Sequence, residues 1–215
     1  YVGRSEVQWN GGADEYSMRW GGTGKGGRGG VTLGQAIRAH DRSWQVLGPV
    51  EEVVACAGAR VNTIETEDGA AISLRMKSGA LVTSSVTLGA GNDTSRLRFC
   101  FEGLTAESGT KPYAPAEDTW HFTARAPTTQ QEIDAVLARV GTGLDGFAGF
   151  LEAIADAIEG RGGNEVTVAD GLRSSELVTA TYKSVRQGQP VRLPLSEGDD
   201  LYKGWAPETP VSRKV

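Results

Sequence analysis

The sequence predicts an α+β domain in which a mostly antiparallel, open sheet carries helices packed on one face. Two observations predict this fold class. Runs with a period of two are clustered between residues 50 and 107, and runs with helical spacing are clustered mainly after residue 129. Grouped strands followed by grouped helices are typical of α+β domains. The 215 residues suffice for one domain, and they contain no evident internal repeat.

Residues 1–30 are predicted to form an extended, irregular arm that ends in a glycine-rich loop, residues 21–30. The arm has no helical period and only broken alternation. A phosphate-binding loop would need a preceding buried strand and a Lys-Ser/Thr pair, whereas Lys25 is followed by glycine. Two interpretations remain open: a solvated loop, or a loop whose cations Lys25 and Arg28 close over an anionic or hydroxyl-rich ligand.

A helix is predicted from Val31 to Leu47, and Gly48 and Pro49 would end it. One of its faces is mainly apolar, and the other carries polar side chains. The spacing that defines the first face comes from Leu33, Ile37, His40 or Asp41, Trp44 and Leu47. The polar residues are Gln35, Arg38, Arg42 and Gln45. Arg38 and Asp41 are spaced for an ion pair, and the alternative is that they bind a ligand.

Five strands are predicted next: one near Val50–Cys56, two in a hairpin around residues 72–88, and two more over residues 97–101 and 104–107, joined by a turn at Glu102 and Gly103. One face of the hairpin is apolar and should pack on helices. The other face is polar, with the residues Ser73, Arg75, Thr83, Ser85 and Thr87. Such a face is either solvated or packed against a second sheet across a wet interface, and the sequence does not decide between the two.

Three helices and an edge strand are predicted to complete the domain, residues 31–195. Thr129 and Glu132 form a capping-box pattern ahead of the first helix. The second helix includes residues 147–158, and Asp170 is the expected N-cap of the third. Residues 191–195 read as an edge strand, and residues 196–215 as a polar surface tail.

Composition argues against several classes of partner and site. The net charge of −5 disfavours nucleic-acid binding, and no apolar run is long enough to span a membrane. Cys56 and Cys100 are interpreted as reduced core thiols, as in a cytoplasmic protein. With only two histidines and no Cys or His pair at ligand spacing, a metal site is not expected.

Three segments resemble the C-terminal domain of the Gfo/Idh/MocA oxidoreductases. They are the glycine-rich run and helix from Trp20 to Val50, the first hairpin over residues 64–81, and the last helix and strand over residues 168–194. The resemblance implies a dihydrodipicolinate-reductase-like C-terminal fold. It also implies an upstream Rossmann domain that binds NAD or NADP and carries a Glu-Lys-Pro lysine, so that this chain alone binds no cofactor and is not catalytically competent.

The resemblance also implies a sugar or polyol substrate and a homodimer or higher oligomer that forms through the open sheet face. The candidate substrate-binding residues are Arg19, Trp20, Lys25, Gln35, Arg38, His40 and Asp41. In family members the helix usually carries an aspartate and a histidine where this sequence has Gly34 and Arg38. His40 lies roughly 200° further around the helix than Arg38, so it is not a simple substitute.

Two functions therefore remain open. In the first, this is the substrate-binding and oligomerisation domain of an NAD(P)-dependent oxidoreductase for sugars, polyols or sugar acids, and Arg38 orients an anionic substrate. In the second, it is a non-catalytic carbohydrate-binding or dimerisation module of the same fold, because an arginine cannot release a proton near neutral pH.

Overall fold

A computed structural model describes residues 1–12, 16, 22–23, 29–141, 143–144, 146–162, 165–202 and 204. The described residues form an eight-stranded sheet and four α-helices. The strands are β1 (Val2–Asn10), β2 (Val50–Gly58), β3 (Gly69–Met76), β4 (Leu81–Thr87), β5 (Gly89–Cys100), β6 (Leu104–Ser108), β7 (Trp120–Ala124) and β8 (Val191–Arg192). The helices are α1 (Ile37–Leu47), α2 (Gln130–Leu137), α3 (Gly146–Ile158) and α4 (Val168–Gln187). The α+β fold with an open sheet is confirmed.

The strand order is β7-β6-β5-β1-β4-β3-β2-β8. Every pair of neighbouring strands in this order is antiparallel except β1 and β4, which are parallel. β8 pairs with β2 at one edge, as expected for the predicted edge strand. The sheet is therefore mostly antiparallel.

The expectation of an irregular arm is wrong for residues 2–10, which form the central strand β1. Its inward positions are Gly3, Ser5, Val7 and Trp9, and all four are buried. A Cβ at Gly3 would lie 2.8 Å from Leu47 Cδ1, so the helix packs too closely there for a side chain. Because half of its inward residues are small, β1 lacks the apolar alternation that would reveal a buried strand.

Helix α1 continues a π-helical turn, Thr32–Ala36, and ends at Gly48, whose φ of 86° is accessible to glycine. The residues that bury α1 against the sheet are Ala36, Ala39, His40, Ser43 and Leu47. These are mostly small, whereas the larger Ile37 and Trp44 are half-buried. The buried face of α1 is therefore rotated slightly away from the face that its largest apolar residues define.

Capping boxes begin helices α2 and α4. The Thr129 and Glu132 pair is confirmed for α2. In α4 the N-cap is Thr167 and Asp170 is the third helical residue, so the expectation that Asp170 itself is the N-cap is wrong. Gly188 closes α4 in the left-handed conformation, with a φ of 64°.

The two faces of the sheet differ in character. One face buries an apolar core against α1 and α4, with Phe99 and Met76 among its largest fully buried side chains. The opposite face is open. Its middle carries exposed Val54, Ser73, Thr83 and Ser85. Ion pairs flank this middle region on both sides. They are Arg4–Glu6, Glu6–Arg96, Arg96–Glu107 and Arg98–Glu107 on β1, β5 and β6, and Glu52 with Arg75 and Arg192 on β2, β3 and β8.

Both cysteines are free, but the prediction that they are core thiols is wrong for Cys56. The alternation of β2 directs Val53 and Ala55 into the core and Val54 and Cys56 to the open face. Cys100 is half-buried. None of the described helices combines the length and hydropathy that a membrane span needs. The described residues contain no group of three or more potential metal ligands.

Candidate functional site

A groove with a volume of about 260 Å³ lies between α1, the sheet and the segment 113–117. From α1 and the π-helical turn before it come Gln35, Arg38, Ala39, Asp41 and Arg42. From the sheet come Val7, Trp9 and Ser95, and the far wall is formed by Tyr113, Ala114, Pro115, Ala116 and Glu117. Pockets for drug-sized ligands begin at about 300 Å³, so this groove is slightly smaller than those pockets.

Arg38 brings an unpaired positive charge to the groove. Its side chain is exposed, and it makes no hydrogen bond or ion pair within the part of the chain that the structure describes. The ion pair with Asp41 that the spacing allowed does not form. A guanidinium offers several N–H donors in a planar fork that matches a carboxylate or a phosphate.

Gln35 and Asp41, two further predicted residues, also line the groove. The Asp41 carboxylate accepts hydrogen bonds from Ser174 Oγ at 3.0 Å and from Gln45 Nε2 at 3.4 Å. Asp41 therefore joins α1 to α4 as well as facing the groove. Its carboxylate has spare acceptor capacity for a ligand hydroxyl.

His40, a predicted substrate-binding residue, does not line this groove. It lies on the side of α1 that faces the sheet, where it is 2% exposed, and its Nε2 is 2.9 Å from Ser84 Oγ of β4. Burial lowers the pKa of His40 from 6.5 to about 4, so the imidazole is neutral near pH 7.

The remaining candidates, Arg19, Trp20 and Lys25, lie outside the described residues. Trp9, Ser95, Tyr113 and Glu117 are among the groove residues that the sequence did not predict. Trp9 and Ser95 belong to the neighbouring strands β1 and β5, and their indole N–H and hydroxyl are joined at 3.0 Å. No local pattern links these residues to α1, because the fold alone brings them together.

The glycine pair ahead of α1 serves close packing around Glu67. A Cβ at Gly30 would lie 2.0 Å from the Glu67 carbonyl oxygen, and one at Gly29 would lie 2.5 Å from the Tyr182 hydroxyl. The Glu67 carboxylate accepts hydrogen bonds from Gly30 N–H at 3.1 Å, Thr32 N–H at 3.0 Å and the Tyr182 hydroxyl at 2.8 Å. Burial, followed by the charge of Glu67, raises the pKa of Tyr182 well above its usual range.

This arrangement does not fit a dinucleotide at the start of the helix. A pyrophosphate bound there would use the free N–H groups of the first turn. The Gly30 and Thr32 N–H groups already donate to Glu67, whose charge would also repel a phosphate. The β1 to β2 crossover does not place those strands side by side, as a dinucleotide-binding βαβ unit requires.

Comparison with known sequences agrees with the architecture. The family described as "Oxidoreductase family, C-terminal alpha/beta domain", GFO_IDH_MocA_C, matches residues 2–193. The chain belongs to this family. The resemblance noted in the sequence to the C-terminal domain of Gfo/Idh/MocA oxidoreductases is therefore confirmed. No curated protein sequence matches this Gfo/Idh/MocA domain.

Solved structures of dehydrogenases contain the same fold. The WlbA dehydrogenase from Bordetella pertussis, solved with NADH and UDP-GlcNAcA, is 26% identical with a TM-score of 0.73. The match covers 91% of this domain and 56% of that chain. The WlbA enzyme from Chromobacterium violaceum, solved with the same ligands, is also 26% identical, with a TM-score of 0.72. That match covers 91% of this domain and 55% of that chain. The domain thus spans little more than half the length of these dehydrogenases.

More distant relatives share the fold. A levoglucosan dehydrogenase solved with NADH is 16% identical with a TM-score of 0.66, and the match covers 90% of this domain and 58% of that chain. Gly34 and Arg38, the two positions where the resemblance implies other residues, lie about one helical turn apart, Gly34 in the π-helical turn and Arg38 in α1. A Cβ at Gly34 would meet no atom of the described structure within 4 Å.

Proposed function

We propose that this Gfo/Idh/MocA domain is the substrate-binding and oligomerisation half of an NAD(P)-dependent oxidoreductase that acts on a sugar, a polyol or a sugar acid. The observation that carries the proposal is the Arg38 guanidinium, which has no partner among the described residues and lies in a groove that Gln35 and Asp41 also line. A cation without a protein partner favours a ligand with a carboxylate, whereas Gln35 and Asp41 suit hydroxyl groups.

In this proposal NAD or NADP is bound by an upstream Rossmann domain, and this chain alone does not transfer hydride. The extent of the matches, 56% and 55% of the two WlbA chains, leaves room for such a domain in the whole protein. The ligand of those enzymes, UDP-GlcNAcA, is a sugar acid, which agrees with a carboxylate partner for Arg38. Arg38 would bind and orient the substrate, and proton transfer would fall to a lysine outside this chain.

Substitution of Arg38 tests the binding role in the full-length protein. Arg38→Ala should raise the KM for a sugar acid by roughly ten- to a hundredfold, because a hydrogen bond to a charged group contributes about 1.5–3 kcal/mol. Its effect on a neutral sugar should be much smaller. The matched control is Arg139→Ala on the exposed surface. An unchanged KM for the sugar acid would remove Arg38 from the site.

The alternative is a non-catalytic carbohydrate-binding or dimerisation module of the same fold. The feature that favours it is the presence of Gly34 and Arg38 at positions where the resemblance implies an aspartate and a histidine. The intact mass and N-terminal sequence of the native gene product discriminate between the two functions. A product about twice this size, with a Rossmann segment and a Glu-Lys-Pro motif, supports the enzyme, whereas a product that lacks them supports the module.

For either function we propose a cytoplasmic homodimer, or a higher oligomer, that forms through the open sheet face. The neutral middle of this face includes Val54, which is 41% exposed, and Leu81, which is 53% exposed. Ion pairs lie on both sides of that middle region. A neutral centre with a charged rim is the common composition of protein interfaces.

A further inference from the structure

Tyr113 has a backbone conformation that costs energy. Its φ of 64° is the only positive value at a non-glycine residue in the described part of the chain. The Ala114 N–H donates to the Pro112 carbonyl at 2.7 Å, which makes Tyr113 the central residue of a three-residue turn. Such turns with positive φ are rare and strained, and backbone strain of this kind is concentrated at ligand-binding sites.

This turn holds the Tyr113 ring against Trp9. The two ring centroids are 3.9 Å apart, and the rings are inclined by 36°. Trp9 is 3% exposed, and its indole N–H donates to Ser95 Oγ, which fixes the indole in place. Tyr113 is 54% exposed, so one side of its ring rests on Trp9 while much of the ring remains accessible. Both rings line the groove. The Tyr113 ring therefore forms an exposed aromatic wall of the groove, and the buried Trp9 ring supports it from behind.

The charges of the groove indicate which ligand would contact this wall. Its carboxylates already have partners: Asp41 with Ser174 and Gln45, and Glu117 with Lys111 at 3.5 Å. Arg42 donates to Gln45. Arg38 is the groove cation that is left without a partner among the described residues. The groove thus combines an unpaired cation with an aromatic face.

We propose that Tyr113 determines specificity by stacking on the apolar C–H face of a pyranose ring whose carboxylate binds Arg38. The substrate class is therefore a cyclic sugar acid and not an open-chain polyol, since only a ring presents a flat apolar face. This inference rests on the proposed function and makes it more specific. It also gives a role to the strained turn at Tyr113, which presents the ring to the groove.

Binding measurements on the chain test the proposal. D-glucuronate, D-glucose and acetate would be titrated by NMR, with the indole N–H of Trp9 as a reporter in the groove. Tyr113→Leu should lower the affinity for glucuronate and for glucose by roughly three- to tenfold, because both have a ring that can stack. The affinity for acetate, which has no ring, should be unchanged. Tyr113→Phe keeps the ring and should stay within about twofold of the wild type.

Controls separate the stacking contact from other effects. Tyr202→Leu removes a tyrosine of similar exposure, 55%, outside the groove, and should leave all three affinities unchanged. Arg38→Ala should lower the affinity for glucuronate and acetate, which carry a carboxylate, but not the affinity for glucose. The amide spectrum of each variant shows whether the fold is retained.

Three results would overturn the proposal. If Tyr113→Leu leaves the affinity for both sugars unchanged while Arg38→Ala lowers the affinity for glucuronate, Tyr113 does not stack on the ligand. The proposed function would still stand. If Tyr113→Phe weakens the sugars as much as Tyr113→Leu, the ring is not the determinant. If the wild-type chain binds none of the three probes, both the wall and the ligand groove are wrong.

Discussion

Two buried polar side chains, His40 and Glu67, hold the helix of the site in position at the scale of single residues. His40 joins the middle of α1 to Ser84 of the sheet, and Glu67 joins the turn before α1 to Tyr182 of α4. Neither side chain lies in the groove. Their contribution to ligand binding is therefore indirect, because they fix the backbone that carries Gln35, Arg38 and Asp41.

The burial of His40 predicts a loss of stability in acid. Its pKa is about 4 in the folded protein against about 6.5 when unfolded, so between these values the unfolded chain binds a proton that the folded one does not. Stability is therefore full above about pH 6.5 and falls as the pH decreases towards 4. At about pH 4.5 the loss from this residue should be on the order of 2–3 kcal/mol relative to about pH 7.5.

Urea unfolding of the wild type and His40→Gln at these two pH values measures this loss. The variant should be less stable than the wild type at the higher pH, with a smaller decrease on acidification. The exposed His121 provides the matched control, His121→Gln. An acid dependence that is the same in His40→Gln and the wild type would show that His40 is not the titrating group.

Glu67 predicts a separate effect on the start of the helix. Glu67→Gln places an amide N–H₂ group against donors and removes a charge, which should destabilise the fold by at least about 2 kcal/mol. Tyr182→Phe removes one of the three donors to this carboxylate and should cost only about 1 kcal/mol. Hydrogen exchange should also become faster at residues 30–34 in Glu67→Gln. Equal stability of Glu67→Gln and the surface control Glu102→Gln would contradict this role.

The sequence could predict part of the groove, for a physical reason. Gln35, Arg38 and Asp41 lie on one helix, where spacing along the chain determines relative position. His40 was misplaced because a polar residue at the edge of an amphipathic face can point either way. Trp9 and Tyr113 could not be paired, because they are separated by more than 100 residues and meet only through the sheet.

At the scale of elements, the two capped helices, α2 and α4, differ in how many side chains they bury against the rest of the domain. Helix α4 buries several side chains, among them Leu177, Val178 and Ala180, whereas α2 buries only Ile133. The two caps have the same chemistry, a threonine with an acidic residue three positions later. The same substitution in each helix therefore separates the contribution of the cap from that of the packing.

Thr167→Ala should lower the free energy of global unfolding by about 1 kcal/mol, the usual value of an N-cap. Thr129→Ala should instead increase hydrogen exchange within residues 130–137 with little change in global stability, because α2 can open locally. Urea unfolding and amide exchange measured on both variants test the difference. Equal global losses would mean that α2 is as tightly coupled to the core as α4.

Local sequence patterns were sufficient to predict most elements. They failed for a strand whose inward residues are small because a helix packs closely against it. The capping box of α2, the end of α4 at Gly188 and the β3–β4 hairpin were all predictable from local chemistry. Strand β1 was not, because Gly3 and Ser5 occupy inward positions that α1 approaches closely. The burial of these two residues depends on the arrangement of the whole sheet.

At the scale of the whole molecule, the described structure leaves two kinds of surface uncovered. Helix α3 has no buried side chain, and its apolar residues Phe147, Leu151 and Ile158 are 74%, 52% and 81% exposed. The sheet face is different, since its middle is neutral and mostly made of short side chains. Short side chains allow the backbones of two sheets to approach closely, so this face is the better candidate for self-association.

A charged side chain in the middle of the sheet face should prevent this self-association. Ser85 pairs with Glu6 of β1 and Ala71 of β3, so it lies near the centre of the sheet. In a symmetric dimer each centre faces the other, and Ser85→Arg would bring two large charged side chains together where two serines can pack closely. Sedimentation velocity over a concentration series should show a wild-type dimer and a Ser85→Arg monomer.

The control is Ser175→Arg, which adds the same charge at an exposed position on α4 and should leave the dimer intact. Because Ser85 is exposed in a single protomer, its substitution should change the stability of the monomer by less than about 0.5 kcal/mol. Loss of the dimer without loss of the fold would therefore assign the interface to the sheet. A wild-type chain that remains monomeric at high concentration would instead leave this face to solvent, and the Ser/Thr-rich strands would need no partner.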